Sequence, residues 1–451
     1  MKKILKNNTK LVEAIGRLLP LSLAATVFIA NIFFIEENPL RGITILFLLF
    51  IWGIFTYVTK SYVKASLYLL LFVIPLNITI TFPTLGDVYV RGVYSNFLSP
   101  TLSIIDIFVA LLFTSLVTVS FPKKSNLIYM VVVGALLLSL LSHFSIISLI
   151  GIGRIILYLL TTKLMFYYMK NEKEKLSMRL VIYVISITVL IQVIIAFFQV
   201  YLGRDLGLQF LGESQLTVGT IGSSFVSLSE VTYLRGYGTF PHPNILAGYL
   251  SLVVIILLGI RYKGKLVWAT IGISAIGLLL TFSRLGWLLL LLVMVFYLLF
   301  GSRQQKGLNS FTLGIFGERI SNLFLNIDTS FRDRILLNEH AIEVIQKNWL
   351  TGLGIGRYVS AMKELPIYTN SGLLLLQPVH NIFLLLVAEM GIGGIIFAIG
   401  IIYKILFYNF TKHSKFLYLS IIFFVLIFGM FDHFLLTLPQ GLILLAFALL
   451  L

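Results

Sequence analysis

The sequence contains no cysteine and few acidic residues, and both absences restrict its chemistry. Without cysteine, the chain of 451 residues has no disulfide, no thiolate metal site and no cysteine nucleophile. Only 18 residues are Asp or Glu, and the D-x-D, H-E-x-x-H, G-x-S-x-G and phosphate-loop patterns do not occur. We therefore predict chemistry without a protein-bound metal or other cofactor, in which arginines take the role that Mg²⁺ has elsewhere.

Charge is scarce as well, and its scarcity indicates a membrane protein. Charged residues make up 12% of the chain and hydrophobic residues 59%, whereas soluble domains carry about 25% charged residues. Apolar runs of about 18–25 residues, each long enough to cross the hydrocarbon core, recur along the chain. The predicted fold class is all-α, a polytopic membrane helical bundle of about 12–14 transmembrane helices with one large extracytoplasmic loop.

The net charge of +16 is better explained by topology than by nucleic-acid binding. Basic clusters recur after alternate apolar runs, as in cytoplasmic loops; they lie before residue 18 and at 60–64, 123–124, 170–179, 261–265, 303–306 and 412–415. With a cytoplasmic N-terminus, loops 83–101 and 202–243 and the turn at 283–284 are predicted to face outside.

Hydropathy predicts membrane spans near 18–35 (a retained first helix), 43–58, 66–82, 102–121, 127–143, 146–169, 180–201, 244–260, 266–282, 286–300, 379–407, 416–433 and 438–451. The orientation of the loops then requires that part of 307–378 cross or re-enter the membrane, and 311–327 is the candidate. The polar stretch that follows, "DTSFRDRILLNEHAIEVIQKN", is predicted to form a helix with Asp328 or Thr329 as its N-cap.

The stretch "YLRGYGTFPHPNILAGYL", 233–250, places polar residues at the mouth of a predicted membrane helix. Pro243 suits the first helical turn, and the amides of such a turn favour an anion. Arg235 lies in a Gly-rich turn and can bring a two-pronged guanidinium to the same anion, with His242 and Asn244 close by in sequence. The alternative is that Arg235 only anchors the protein at the lipid headgroups.

Two further islands interrupt apolar runs. In "TFSRLGWL", Arg284 lies within the nearly continuous apolar run 266–300, where ionisable residues are costly and are functional candidates; the alternative is a turn whose arginine contacts outer-leaflet phosphates. In "QPVHNIFLLLVAEMGIGG", His380 and Asn381 open a helix after a polar loop. A histidine there can act as a general base; the alternative is an interfacial histidine bonded to a carbonyl.

The stretch "NWLTGLGIGRY", 348–358, follows Arg334 and contains Arg357. It lacks the preceding strand and the Lys-Ser/Thr of nucleotide-binding loops, which favours simple turn glycines, although both arginines remain candidates for binding an anion. Arg154, in "LIGIGRIILYLL", and Asp106 are predicted to form an intramembrane ion pair.

In this order, "RGYGTFPHPNILAGYL", "TFSRLGWL", "NWLTGLGIGRY" and "VHNIFLLLVAEMGIGG" resemble the O-antigen ligase and O-antigen polymerase superfamily of bacterial membrane glycosyltransferases. The resemblance covers roughly residues 180–400. It implies a GT-C-like fold and a metal-independent, inverting transfer of a glycan from undecaprenyl diphosphate to a lipid, glycan or protein acceptor. Transfer is expected at the outer face of the cytoplasmic (inner) membrane. The chain departs from the family in lacking a convincing helix between residue 300 and the large loop.

The resemblance assigns the two outward arginines to Arg235 and Arg284 and the essential histidine to His380. Residues predicted to bind substrate are His242, Asn244, Asn381, Arg357, Arg334 and Arg154. The predicted regions are N-terminal transmembrane helices at 1–179, a ligase-like catalytic region at 180–407 that includes the loop at about 307–378, and C-terminal transmembrane helices at 408–451.

The residues are consistent with this chemistry on physical grounds. A diphosphate leaving group is a weak base that needs cations more than a general acid, and guanidinium groups suit phosphate oxygens. The acceptor hydroxyl needs a positioned base, predicted to be His380. The sequence does not distinguish a ligase from a polymerase. A protein of a different class, a transporter or flippase of a lipid-linked saccharide, is the alternative. A transporter would favour charges near the midplane on interrupted helices of an internal repeat, and a non-catalytic scaffold is the third possibility.

Overall fold

The computed structural model is mostly helical and confirms the predicted all-α membrane bundle. It describes positions 21, 24, 25 and 27 and residues 39–82, 88–117, 133–137, 139, 144–171, 176–217, 223–228, 231–260, 262, 264–300, 329–364, 366–368, 372, 374–407 and 415–450. Most of the predicted spans at 18–35 and 127–143, and all of the predicted crossing segment 311–327, lie outside these residues.

Within its described residues, the first half of the chain has five helices of twelve or more residues. They are α1 (Pro39–Thr59), α2 (Tyr62–Val73), α3 (Ile104–Val117), α4 (Ile146–Asn171) and α5 (Met178–Leu202). Within the described residues, three helices (α1, α4 and α5) are long and apolar enough to cross a membrane. Each coincides with a predicted span.

The second half continues the bundle with further helices. They are α6 (Pro243–Gly259), α7 (Lys265–Leu280), α8 (Arg284–Phe300), α9 (Thr329–Asn348), α10 (Tyr358–Ala361), α11 (Ile382–Met390), α12 (Ile392–Phe407), α13 (Lys415–Phe431), α14 (Phe434–Thr437) and α15 (Pro439–Leu450). Apolar helices of 10–17 residues are shorter than the ~20 residues that a perpendicular span needs; they are α2, α3, α6, α7, α8, α13 and α15.

The predicted span 66–82 is wrong beyond the end of α2. Strand β1 (Thr79–Thr81), made entirely of the β-branched residues that favour strands, pairs antiparallel with β4 (Thr101–Ser103). Two further hairpins are β2 (Tyr89–Val90) with β3 (Val93–Tyr94), and β5 (Phe225–Leu228) with β6 (Val231–Leu234). The β1–β4 hairpin leads directly into α3.

Helix α6 is the central helix of the bundle, buried from Pro243 to Leu258. It packs against α7, α8 and α13. Glycines allow these helices to approach closely: a Cβ on Gly248 would lie 2.8 Å from the Phe428 ring, and a Cβ on Gly277 would lie 2.7 Å from Leu250 Cδ1. The N-terminal end of α6, which carries the polar residues of the stretch 233–250, is therefore held by contacts with several helices.

Helix α9 confirms the helix predicted in the polar stretch. Leu337, Ala341 and Val344, at helical spacing, are buried in a second apolar cluster that includes residues of α11. The helix begins at Thr329, and Asp328 lies outside the described residues. Helices α9 and α11 pack against each other.

The predicted span 379–407 is not one continuous helix, because the chain breaks between α11 and α12. Gly391 has φ +56°, and a Cβ there would lie 2.5 Å from the Leu350 carbonyl. The amide of Ile392 donates to the same carbonyl at 3.3 Å. The loop after α9 thus occupies the position that a continuous helix would need.

The G-x-G-x-G loop is a set of structural turns, as the favoured reading predicts. Gly352, Gly354 and Gly356 all have positive φ, at +70°, +95° and +75°. The amide of Gly354 donates to Glu389 O at 2.8 Å, and a Cβ on Gly352 would lie 2.4 Å from Glu389 C. Its glycines allow the loop to wrap around the C-terminal end of α11.

Candidate active site

Two glutamines of α5 hold the Gly-rich turn that carries Arg235. The side-chain oxygen of Gln199 accepts from Gly238 N at 2.9 Å, and that of Gln192 accepts from Thr239 N at 2.8 Å. Gly238 has φ +61°, and a Cβ there would lie 2.3 Å from Gln192 Oε1. Buried side-chain amides therefore satisfy the backbone of this turn and fix its conformation.

Arg235 connects three segments of the chain through hydrogen bonds. Its Nε donates to Thr281 O at 2.8 Å, and its Nη2 donates to Asn244 Oδ1 at 2.8 Å. The hydroxyl of Ser283 donates to the same Asn244 oxygen at 3.1 Å. The Gly-rich turn, the mouth of α6 and the turn before α8 are therefore in direct contact.

Arg284 begins α8 immediately after that turn. It is partly exposed, and the turn between α7 and α8 contains Phe282 at φ +48°. A Cβ on Gly286 would lie 2.8 Å from Ala247 Cβ, so α8 starts against the first turn of α6. The fold places Arg284 at the same end of the bundle as Arg235, as the motif order predicts.

His242 is a capping residue, and both of its ring nitrogens are engaged. Its Nδ1 accepts from Asn244 N at 3.2 Å, so the neutral ring carries its proton on Nε2, which lies 3.0 Å from Ser224 Oγ. Burial and then Arg235 hold the pKa of His242 well below 6.5. This imidazole therefore occupies the amide of Asn244, one of the first-turn amides of α6 that were expected to favour an anion.

His380 precedes Asn381, whose side-chain oxygen caps α11 by accepting from Phe383 N at 3.0 Å and Leu384 N at 3.2 Å. The Nδ1 of His380 is buried and has no hydrogen-bond partner among the described residues. Burial, and then the charges of His433 and Arg334, hold the pKa of His380 well below 6.5. The ring is therefore neutral at pH 7, as a general base must be.

Asp432 and His433, between α13 and α14, belong to the same site and were missed by the sequence analysis. The rings of His433 and His380 meet at a centroid distance of 5.0 Å and an interplanar angle of 67°. Asp432 is 3% exposed and accepts from Phe434 N at 3.0 Å. A polar pair inside the apolar run 416–450 is the signal that could have identified them.

A cavity of about 410 Å³ connects these groups. Its wall combines the β1–β4 hairpin, the first turns of α4, the mouth of α6, α11 and the segment from Asp432 to Leu442. Of the predicted site residues, Arg154, His242 and His380 line it within the described part of the chain. Arg235 and Arg284 are not among its lining residues, but Arg235 binds Asn244, in the first turn of α6 next to the lining residue His242.

The predicted ion pair between Arg154 and Asp106 is confirmed. Arg154 Nε and Nη2 each lie 2.9 Å from a different oxygen of Asp106. Tyr158 donates its hydroxyl to Asp106 at 2.7 Å, and Arg154 also donates to Thr101 O. Arg154 thus presents a charge-paired guanidinium to the cavity wall, held between α3, α4 and the β1–β4 hairpin.

The other predicted residues surround the site in different ways. Arg334, on α9, is near enough for its charge to lower the pKa values of His242, His380 and His433. Arg357 starts α10, and its side chain does not line the cavity in the described structure. Among the described residues, no group of three or more metal-ligating side chains comes together.

Comparison with known proteins found one similarity, which covers the part of the site contributed by residues 268–399. Residues 268–399 match the family model described as O-antigen ligase, and they include Arg284, Arg334, Arg357 and His380. Neither the curated proteins nor the solved structures gave a match to the chain. Residues 268–399 of this membrane protein are therefore similar to the O-antigen ligase family, which agrees with the resemblance of its motifs.

Proposed function

We propose that the protein transfers a glycan from undecaprenyl diphosphate to an acceptor hydroxyl at the outer face of the cytoplasmic membrane, as a ligase or a polysaccharide polymerase. The reaction needs no metal and inverts the anomeric carbon. The acceptor is a lipid, a growing glycan or a protein.

One observation carries this proposal: two arginine-bearing turns meet beside a cavity lined by neutral histidines. Arg235 is held by Thr281 and Asn244, and Arg284 follows the same turn. A guanidinium whose orientation is set in advance stabilises charge that develops on a leaving diphosphate without further reorganisation. The geometry thus provides cations for the leaving group and imidazoles for the acceptor.

The cavity suits the acceptor side of the reaction. Its lining includes polar residues of the β1–β4 hairpin and Arg154, and also His380. A sugar bound between Arg154 and His380 would present a hydroxyl to His380, and the aliphatic wall of the cavity would limit access of water. Exclusion of water favours transfer over hydrolysis of the donor.

The test is reconstitution of the purified full chain in lipid nanodiscs with an undecaprenyl-diphosphate-linked oligosaccharide. A second donor molecule serves as acceptor for polymerase activity, and a lipid or protein fraction of the cell envelope serves for ligase activity. We expect release of undecaprenyl diphosphate and a longer glycan product, undiminished by EDTA, with inverted configuration at the new linkage. The Arg284→Ala protein is the control. Movement of the donor across vesicles without release of undecaprenyl diphosphate would instead identify a flippase.

A further inference from the structure

An apolar strip runs along the outside of helix α9. Ile335 and Ile342 are 42% and 47% exposed, and Trp349, one residue beyond the end of the helix, is 59% exposed. Positions seven residues apart drift by only about 20° around a helix, so these three side chains lie on one side. Asn338 and Gln346 border them, which keeps the strip narrow. We call the three side chains the α9 strip.

The two other sides of α9 have different surroundings. One side is buried against α11 and contains Leu337, Ala341 and Val344. Another side is exposed and charged, and there Glu343 pairs with Lys347 at 2.7 Å. The α9 strip lies between these two sides around the helix. Helix α9 therefore has a core side, a water side and an apolar side that the described residues leave exposed.

The α9 strip ends where the exposed face of α12 begins. The amide of Ile392 donates to the carbonyl of Leu350, an exposed residue next to Trp349, at 3.3 Å. Exposed isoleucines at helical spacing continue this apolar surface along α12; they are Ile392, Ile395, Ile396 and Ile399. Since α12 belongs to the predicted span 379–407, these side chains contact lipid tails, which are as apolar as they are. The loop 408–415 is predicted to be cytoplasmic, so α12 starts on the outer side of the membrane.

We propose that α9 docks on the outer leaflet of the membrane, with Ile335, Ile342 and Trp349 inserted at the headgroup level and the charged side in water. Helices that bind in this way insert their apolar side by about 5–10 Å. A lipid surface is favoured over a protein partner because the strip is narrow and continues into a lipid-facing surface. Tryptophan is also enriched at the boundary between membrane and water. Docking goes beyond the proposed function and does not depend on it.

Docking also has a consequence for the site, and this step rests on the proposed function. Arg334 belongs to the same helix, and its charge lowers the pKa of both His242 and His380, so it lies close to the cavity. The diphosphate of a donor whose lipid tail is in the hydrocarbon lies at the headgroup level. A helix held at that level keeps the guanidinium of Arg334 within reach of phosphate oxygens.

Single cysteines in the cysteine-free chain test docking directly. A nitroxide label is attached to Ile335→Cys, Ile342→Cys or Trp349→Cys in lipid nanodiscs. Electron paramagnetic resonance then measures its collisions with oxygen, which concentrates in lipid, and with a water-soluble nickel chelate. Arg332→Cys, Glu339→Cys and Glu343→Cys, on the charged side of the same helix, are the matched water controls, and Ile399→Cys is the lipid control.

We expect the three strip positions to show the high oxygen-to-nickel ratio of position 399, and the water controls to show a much lower ratio. Thermal unfolding verifies that each labelled variant is folded. Frequent nickel collisions at the strip positions would place them in water and overturn the proposal. Infrequent collisions with both reagents would also overturn it, because protein would then cover the strip. Spin–spin broadening that disappears on dilution with unlabelled protein would identify that cover as a second copy.

The consequence for the site has its own test in the transfer assay. The double variant Ile342→Gln/Trp349→Gln should raise the KM of the lipid-linked donor, because Arg334 is no longer held at the headgroup level. The matched double variant Glu339→Gln/Glu343→Gln should leave that KM unchanged. Equal donor KM in both double variants would overturn the role of docking in donor binding. Failure of the unaltered protein to transfer glycan would refute the proposed function alone, since the spin-label result does not depend on activity.

Discussion

At the scale of single residues, the guanidinium of Arg235 makes two directed contacts that one ammonium group cannot reproduce. Its Nε and Nη2 bind groups on two different segments. We expect Arg235→Lys to lose transfer nearly as completely as Arg235→Ala, by about 10²–10³-fold in kcat. Initial rates of glycan transfer measure this loss. Arg332→Lys, at an exposed position on α9, is the control, and full activity of Arg235→Lys would favour headgroup anchoring.

Arg284→Lys should fail in the same way as Arg235→Lys. Arg284 follows the turn whose Thr281 carbonyl holds Arg235, so the two guanidinium groups are placed by one backbone. We expect donor affinity to fall along with kcat, because a point charge lacks the two-pronged fit to phosphate oxygens. Titration of the donor into each purified variant measures this. Unchanged donor affinity together with full kcat would separate Arg284 from the diphosphate.

His242 should act through stability, since both of its ring nitrogens are used within the protein. Removal of the cap in His242→Ala should lower the free energy of unfolding by about 0.5–2 kcal/mol. Asparagine also caps helices well, so His242→Asn should recover most of that loss. Thermal unfolding in nanodiscs measures both variants. A large loss of transfer in His242→Asn, with stability intact, would mean that this ring contacts substrate.

The burial of the histidines sets the direction of the pH dependence. Transfer requires a neutral imidazole, and the pKa of His380 and of His433 is lowered from 6.5. We therefore expect kcat to remain constant as the pH falls through 6.5 and to decline only in more acidic solution. The same lowered pKa values stabilise the folded protein above pH 6.5 and cease to do so as the pH falls through them, so unfolding is monitored at each pH. A midpoint at or above 6.5 would contradict this expectation.

Sequence reasoning identified part of the site for a physical reason. Arg235, Arg284 and His380 are ionisable groups next to apolar runs, where their cost makes them conspicuous. Asp432 and His433 meet the same criterion, but a polar pair at the end of a predicted span is also what an ordinary solvated turn contains. Only the meeting of distant segments around the cavity distinguishes the two cases.

At the scale of elements, the glycine loop offers a matched pair of substitutions. Gly352 and Gly372 both have positive φ, but a Cβ on Gly352 would lie 2.4 Å from Glu389 C, whereas one on Gly372 meets nothing within 4 Å. Each alanine variant should lose roughly 1–2 kcal/mol from the backbone conformation, and Gly352→Ala about 1–3 kcal/mol more because the loop must shift. Thermal unfolding tests this, and equal losses would show that the loop does not pack tightly on α11.

The helices were largely predictable, and the breaks in them were not. Most of the apolar runs within the described residues form helices, because hydropathy is local information. The end of α2 and the break at Gly391 depend on partners elsewhere, the β4 strand and the Leu350 carbonyl. Such partners are invisible to a hydropathy window.

At the scale of the whole molecule, the chain is suited to a test of its topology, because it has no native cysteine. The exposed positions Gln215, Glu339 and Glu364 belong to segments predicted to face outside, and Lys60, also exposed, to a cytoplasmic loop. Single cysteines at the first three positions should react with an impermeant maleimide on intact cells. A cysteine at position 60 should react only after permeabilisation. Labelling at 339 only after permeabilisation would place α9 on the cytoplasmic side and contradict the proposed site.

The composite wall of the cavity has a consequence for how specificity can diversify. The hairpin β1–β4 and the first turns of α4 supply one side of the wall, and they precede the segment 268–399 that matches the family model. In the proposed function this region recognises the acceptor, and it can therefore drift or be exchanged while the matched segment keeps the proposed chemistry. A chimera that receives residues 77–155 from a homologue should acquire that homologue's acceptor preference and retain its own donor.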